Sequence, residues 1–169
     1  MLNPYGLTVG DYSTLDLKMK NLTKIIPLRE MIMDHIRILI LEDLRTDADL
    51  IEFELQEAGI HFTSQRTTTE KDYARALREF SPHLILADYD LPQYTGSLAL
   101  EAAKTLCPGV PFILVTGFLG ENDARRWKIV AQGARECVSK DHLEQLAPAI
   151  LKVLEAKSGN GSAAGKRDS

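Results

Sequence analysis

Short apolar runs and amphipathic stretches take turns along the chain from residue 35 to about residue 157. Ile36 to Leu41 (IRILIL) is a β-branched run too short for a buried helix and suited to a central strand. Thr46 to Ala58 places Leu50, Ile51, Phe53 and Leu55 among acids and stops at Gly59, which predicts a helix. His61 to Arg66 reads as a weaker strand. Thr67, with Glu70 three residues on, suggests a capping box before a helix that carries Tyr73, Ala76, Leu77 and Phe80. His83 to Asp88 and Pro111 to Thr116 are two further apolar strands. Between them Gly96 to Cys107 is an Ala/Leu-rich helix halted by Pro108 and Gly109. Glu121 to Gln132 predicts a helix closed by Gly133, Arg135 to Ser139 a fifth strand, and His142 to about Lys157 a last helix.

Five strand–helix units in strict alternation imply a parallel sheet with helices on both faces. They fit a flavodoxin-like, doubly wound (βα)5 fold of strand order 2-1-3-4-5. The flanks read differently. Residues 1–34 show no strand pattern and are expected to be an extension, partly disordered or holding a short helix with Leu15, Met19, Leu22 and Ile26 on one side. Residues 158–169 (SGNGSAAGKRDS) carry too little apolar surface to offset the entropy of ordering and are expected to be a disordered tail. The domain proper is therefore expected over 35–157.

Bulk properties narrow the function. With 44% hydrophobic and 26% charged residues the composition is that of a globular domain. A formal net charge of −4 argues against nucleic acid as the main partner. The cluster Arg125, Arg126 and Lys128 reads as a solvated helix face, and Trp127 is expected to rest part of its ring on the sheet. Two cysteines, Cys107 and Cys137, match no zinc or redox spacing. The four histidines show no ligand spacing either. No apolar run approaches the ~18 residues needed to cross a bilayer, and no basic-then-apolar leader is present. A cytoplasmic protein without membrane contact is the expectation.

In an open α/β sheet, ligands sit beyond the carboxyl ends of the strands near the point where the order reverses. The residues there are polar and chemically useful. The first strand ends in Glu42 and Asp43, the third in Asp88, the fourth in Thr116 and Gly117, the fifth in Ser139 and Lys140. Three carboxylates converging from two strands repel one another. They can share protons or hold a hard cation, and with only oxygen ligands on offer Mg2+ is the natural one. A carboxylate beside Mg2+, an ammonium and a hydroxyl can accept a phosphoryl group, because that transfer needs mostly positioning and charge stabilisation.

The segments ILILED, LILADYDLPQYTG, FILVTG and VSKD, in this order, resemble the receiver domain of bacterial response regulators over about residues 36–157. The resemblance implies that Asp88 is the phosphorylated aspartate. Glu42 and Asp43 match the acidic pair of the Mg2+ site. Thr116 matches the family's hydroxyl residue and Lys140 its lysine, and the backbone carbonyl of Asp90 would join the metal. It also implies a sensor histidine kinase or histidine phosphotransfer protein as donor, a protein target downstream, and no turnover of an external substrate. No DNA-binding or enzymatic segment is read after residue 157, so output is expected through protein contact in a stand-alone receiver.

Two positions depart from the family pattern. Cys137 stands three before the lysine, where an aromatic switch residue is common; it is expected to be packed and cannot act as such a ring. Asp141 replaces a frequent proline and, with Glu144, suggests an N-cap and capping box for the last helix. Bulky Phe118, two after Thr116, is expected to hinder the attacking water and lengthen the phosphorylated lifetime. Two other readings compete. Asp88-Tyr89-Asp90 is an Asp-x-Asp like that of haloacid-dehalogenase phosphatases, but Pro92 stands where a Thr is expected and no cap domain fits. A degenerate receiver that only binds partners is opposed by the full set of acids, Thr and Lys.

Overall fold

A computed structural model describes residues 35–92, 94–117 and 124–159 of the chain, without the side chains of 125–127 and 157–159. The described residues fall in the second of two units, His35–Ser169, into which the chain divides. The expectations for residues 1–34, for Phe118, and for the side chains of Arg125, Arg126 and Trp127 lie outside the described residues.

The elements run β1 (Ile36–Leu41), α1 (Arg45–Glu57), β2 (Phe62–Thr67), α2 (Glu70–Glu79), β3 (Leu84–Ala87), α3 (Gly96–Leu106), β4 (Phe112–Thr116), α4 (Ala124–Ala131) and β5 (Glu136–Ser139). A 3-10 turn (Lys140–Gln145) then leads into α5 (Leu146–Gly159). All strand pairs are parallel and the order is β2-β1-β3-β4-β5, the flavodoxin-like arrangement expected.

The period of two along each strand sorts its side chains into two cores. Ile36, Ile38 and Ile40 of β1 join Leu84, Leu86, Ile113 and Val115 on the face covered by α1 and α5, which contribute Ile51, Leu55, Leu146 and Ile150. Leu39 and Leu41 join Ile85, Leu114 and Cys137 on the other face, under Tyr73, Leu77, Leu100 and Ile129 of α2, α3 and α4. β1, β3 and β4 are covered on both sides, which is why they read as nearly continuous apolar runs, interrupted in β1 only by Arg37 and ended in β4 by Thr116. β2 is an edge strand of sequence FTSQRT, and its partial exposure accounts for its weak signal.

Helix starts differ from the sequence reading in two places. Thr67 is the last residue of β2; the cap of α2 is Thr69, whose hydroxyl accepts from the Asp72 amide at 3.2 Å. Thr69→Ala is expected to cost about 1 kcal/mol, the usual value of such a cap, measurable by urea unfolding. The last helix does not start at a capping box on Asp141. Ser139 Oγ accepts from the Asp141 amide at 3.2 Å and starts the 3-10 turn. His142, at φ −136° and ψ 49°, breaks helical geometry, so α5 begins only at Leu146. Its helix runs on to Gly159, two residues into the stretch expected to be a tail.

Candidate functional site

The carboxyl ends of β1 and β3 lie side by side, because Leu41 pairs with Ala87. Asp88 therefore leaves the sheet next to Glu42, and the Asp88 amide donates to the Leu41 carbonyl at 2.9 Å. Ligand oxygens of Glu42, Asp43 and Asp88 all lie within 4.8 Å of one another. Glu42 is 1% exposed and Asp88 8%, so this is a carboxylate cluster largely withdrawn from water.

Lys140 reaches into the cluster from the end of β5. Its Nζ lies 2.6 Å from Glu42 Oε2, 2.9 Å from Asp88 Oδ2 and 2.8 Å from Asp47 Oδ2. The other oxygen of Asp88, Oδ1, accepts from the Tyr89 amide at 2.6 Å and the Asp90 amide at 3.3 Å. Both Asp88 oxygens are thus held, one by backbone donors and one by the ammonium. Thr116 ends β4, the strand between β3 and β5; it is buried and pairs with Ser139. Gly117 follows it, and among the described residues a Cβ placed there would meet nothing within 4 Å. A groove of about 460 Å3, lined by Asp43, Thr68, Thr69, Lys71, Pro92 and Tyr94 among others, opens on the Asp43 side.

The electrostatics follow from burial. Burial pushes the Glu42 carboxyl above the usual carboxylate range, and the Lys140 ion pair offsets this only in part. Burial alone would lower the Lys140 ammonium, but its bonds to Asp47, Glu42 and Asp88 outweigh that and hold it above the ordinary lysine value. A raised acid favours folding while it is protonated. Its contribution is present at low pH and is lost as pH rises through the folded value. In divalent-free buffer, the melting temperature of the wild type minus that of Glu42→Gln should therefore fall as pH is raised past the ordinary glutamate range. A difference that is flat or rises with pH, read by thermal unfolding across pH 4 to 8 (a range set by about the unperturbed glutamate and histidine values), would contradict this.

The structure brings together Glu42, Asp43, Asp88 and Lys140, sets Thr116 on the strand between, and turns the Asp90 amide toward Asp88. It also adds two residues that the sequence did not single out. Asp47, in the first turn of α1, is the third partner of Lys140. Arg66 of β2 donates from Nε to the Glu42 carbonyl at 2.9 Å and from Nη2 to the Asp43 carbonyl, pinning the loop that carries both acids. The acid set fits a hard divalent cation: among the described residues, carboxylate oxygens of Glu42, Asp43 and Asp88 converge, and every ligand atom they offer is oxygen.

The strand order and the acid-lined switch point place the chain among CheY-type doubly wound domains. The chain belongs to the response regulator receiver domain family, whose model matches residues 38–151. Among solved structures it is similar to a CheY-like response regulator receiver domain protein from Methanospirillum hungatei JF-1, at 25% identity over 76% of this chain and 100% of that chain, with a TM-score of 0.64. It is also similar in fold to a receiver domain protein from Clostridium thermocellum (22% identity, 74% of this chain, 98% of that chain, TM-score 0.64). The response regulator domain of Thermotoga maritima CheB shares the fold at 18% identity over 73% of this chain and 96% of that chain, with a TM-score of 0.60. No curated protein matches. Among the described residues no helix is long and apolar enough to cross a membrane.

Cys137 is 5% exposed and packed in the core of the α2–α4 face, as expected for a residue without a ring to swing.

Proposed function

We propose that the chain is a phosphoacceptor of a two-component phosphorelay, taking its phosphoryl group on Asp88 and passing the signal on by protein contact. The observation that carries this reading is the meeting of Lys140 Nζ with Asp88 Oδ2 at 2.9 Å inside a cluster of three further acids. In the forward step an Asp88 oxygen forms an O–P bond as the P–N bond of a donor phosphohistidine breaks. The electron pair of that bond returns to the imidazole nitrogen. Asp43 and Glu42, with Asp88 and the Asp90 carbonyl, would hold Mg2+, which when bound supplies charge neutralisation at the phosphoryl oxygens. Lys140 and the Thr116 hydroxyl stabilise the remaining oxygens, and the backbone donors at Tyr89 and Asp90 fix the carboxylate for attack. The groove beside Asp43 leaves room for the donor.

On this reading the domain spans 35–157, acts in the cytoplasm, and takes part in one transfer and its own dephosphorylation rather than turning over an external substrate. Its donor would be a sensor histidine kinase or histidine phosphotransfer protein. The test is incubation with Mg2+ and acetyl phosphate, followed by intact-mass measurement and peptide mapping. One phosphate per chain on Asp88, labile to base and lost with EDTA present, is expected. No label, or a label on another residue, overturns the reading.

A further inference from the structure

An ammonium has three N–H donors; Lys140 donates hydrogen bonds to Asp47 and Asp88 and forms a close ion pair with Glu42, so three carboxylates crowd its Nζ in this structure. An oxygen of an incoming phosphoryl group therefore reaches Lys140 by displacing one of the carboxylates packed around it. The three acids differ in what that release costs. Glu42 is 1% exposed, and stripping it of its counter-ion leaves a desolvated charge. The Asp88 contact passes naturally to the group that Asp88 itself carries. Asp47 has a side chain 31% exposed, so water can replace the ammonium there at small cost. Once released, it stays in the first turn of α1, where the helix dipole favours a negative charge. Packing does not call for an acid at this position, since the inward-facing residue of that turn is its neighbour Ala48, 2% exposed. The Asp47–Lys140 pair joins residues 93 apart in sequence and ties the start of α1 to the end of β5.

We propose that Asp47 is a positioning residue that holds Lys140 at rest and competes with the phosphoryl group for its ammonium. Phosphorylation then exchanges the Asp47–Lys140 contact for a phosphoryl–Lys140 contact and frees the first turn of α1 from the end of β5. This rests on Asp88 being the phosphoacceptor.

Beryllofluoride, which mimics the phosphoryl group, tests the competition when titrated into the full chain at saturating Mg2+ and followed by amide chemical shifts. Asp47→Asn should bind it about two- to fivefold more tightly, the range expected from removing a partly exposed ion pair. Asp47→Glu should return the affinity toward that of the wild type. Asp49→Asn, which removes an exposed charge from the same helix, should leave it unchanged. Equal or weaker binding by Asp47→Asn overturns the inference, and so does an equal gain in Asp49→Asn, which would mark a mere net-charge effect. A thermal double-mutant cycle of Asp47→Asn and Lys140→Met without beryllofluoride gives a second readout; absence of coupling overturns the inference by itself. Failure of the wild type to bind beryllofluoride overturns the phosphoacceptor reading and the inference together. Wild-type binding with an unaltered Asp47→Asn overturns the inference alone.

Discussion

Replacing Asp88 with Asn is expected to reduce phosphate uptake from acetyl phosphate and Mg2+ to background while leaving the fold intact. The amide keeps an oxygen for the Tyr89 and Asp90 backbone donors, and Lys140 keeps Glu42 and Asp47 as partners. What the substitution removes is the anionic nucleophile, and a neutral amide oxygen is a poor replacement. Lys140→Met should be less severe, slowing uptake by about 10²-fold, because it deletes one charge-stabilising donor and spares the attacking group. Phosphate retained on Asp88→Asn would move the acceptor to Glu42 or Asp43. Mass spectrometry of the wild type and the two variants, normalised to folded protein by circular dichroism, makes the comparison.

The second large effect is steric. A Cβ on Gly96 would stand 3.0 Å from the Asp88 carbonyl oxygen, 3.0 Å from the Tyr89 Cα and 3.0 Å from Leu114 Cδ1. Two of these three atoms are backbone of the loop that carries Asp88, and the Gly96 amide also donates to the Tyr89 carbonyl at 3.0 Å. A side chain there cannot be accommodated by turning a rotamer; it must push the loop. Gly96→Ala should destabilise the protein by about 1–3 kcal/mol, the range for overpacking, and Gly96→Val by at least as much. Both should also slow phosphate uptake by the molecules that remain folded, since Asp88 moves with its carbonyl. Gly117→Ala is the contrast: among the described residues its added methyl meets nothing within 4 Å, so stability should stay within about 0.5 kcal/mol of the wild type. Urea unfolding of the three variants checks the order, and a Gly96→Ala as stable as the wild type would refute the steric account.

The parts of the fold that the chain announces are those with one dominant cause. β1, β3 and β4 are covered on both faces, so apolar residues dominate them, with Arg37 near the start of β1 and Thr116 at the end of β4 as the exceptions. Asp88 follows β3 directly, Thr116 closes β4 and Lys140 follows the short β5, so locating the strands located them too. Asp47 stayed hidden because an acid in the first turn of a helix is ordinary cap chemistry, and its real partner lies 93 residues away. Arg66 stayed hidden because its targets are main-chain carbonyls, which carry no sequence signature. The helix starts went astray where two capping side chains compete. Thr67 and Thr69 both precede α2, and only the length of β2 decides that Thr69 is free to cap. Asp141 has the spacing of a capping box, but the Ser139 hydroxyl takes the Asp141 amide first and winds the chain into a 3-10 turn.

If the acids at the head of the sheet hold Mg2+ as proposed, the stability of the folded protein becomes a function of its ionic surroundings. A cation held only by the assembled cluster raises the unfolding free energy by RT ln(1 + [L]/Kd), about 2.7 kcal/mol at a hundredfold excess over Kd. A melting curve recorded against magnesium concentration thus doubles as a binding isotherm, readable with no phosphate, kinase or downstream protein in the tube. On that reading, a shortage of the ion would leave less of this chain in its metal-loaded form, independently of any phosphate donor.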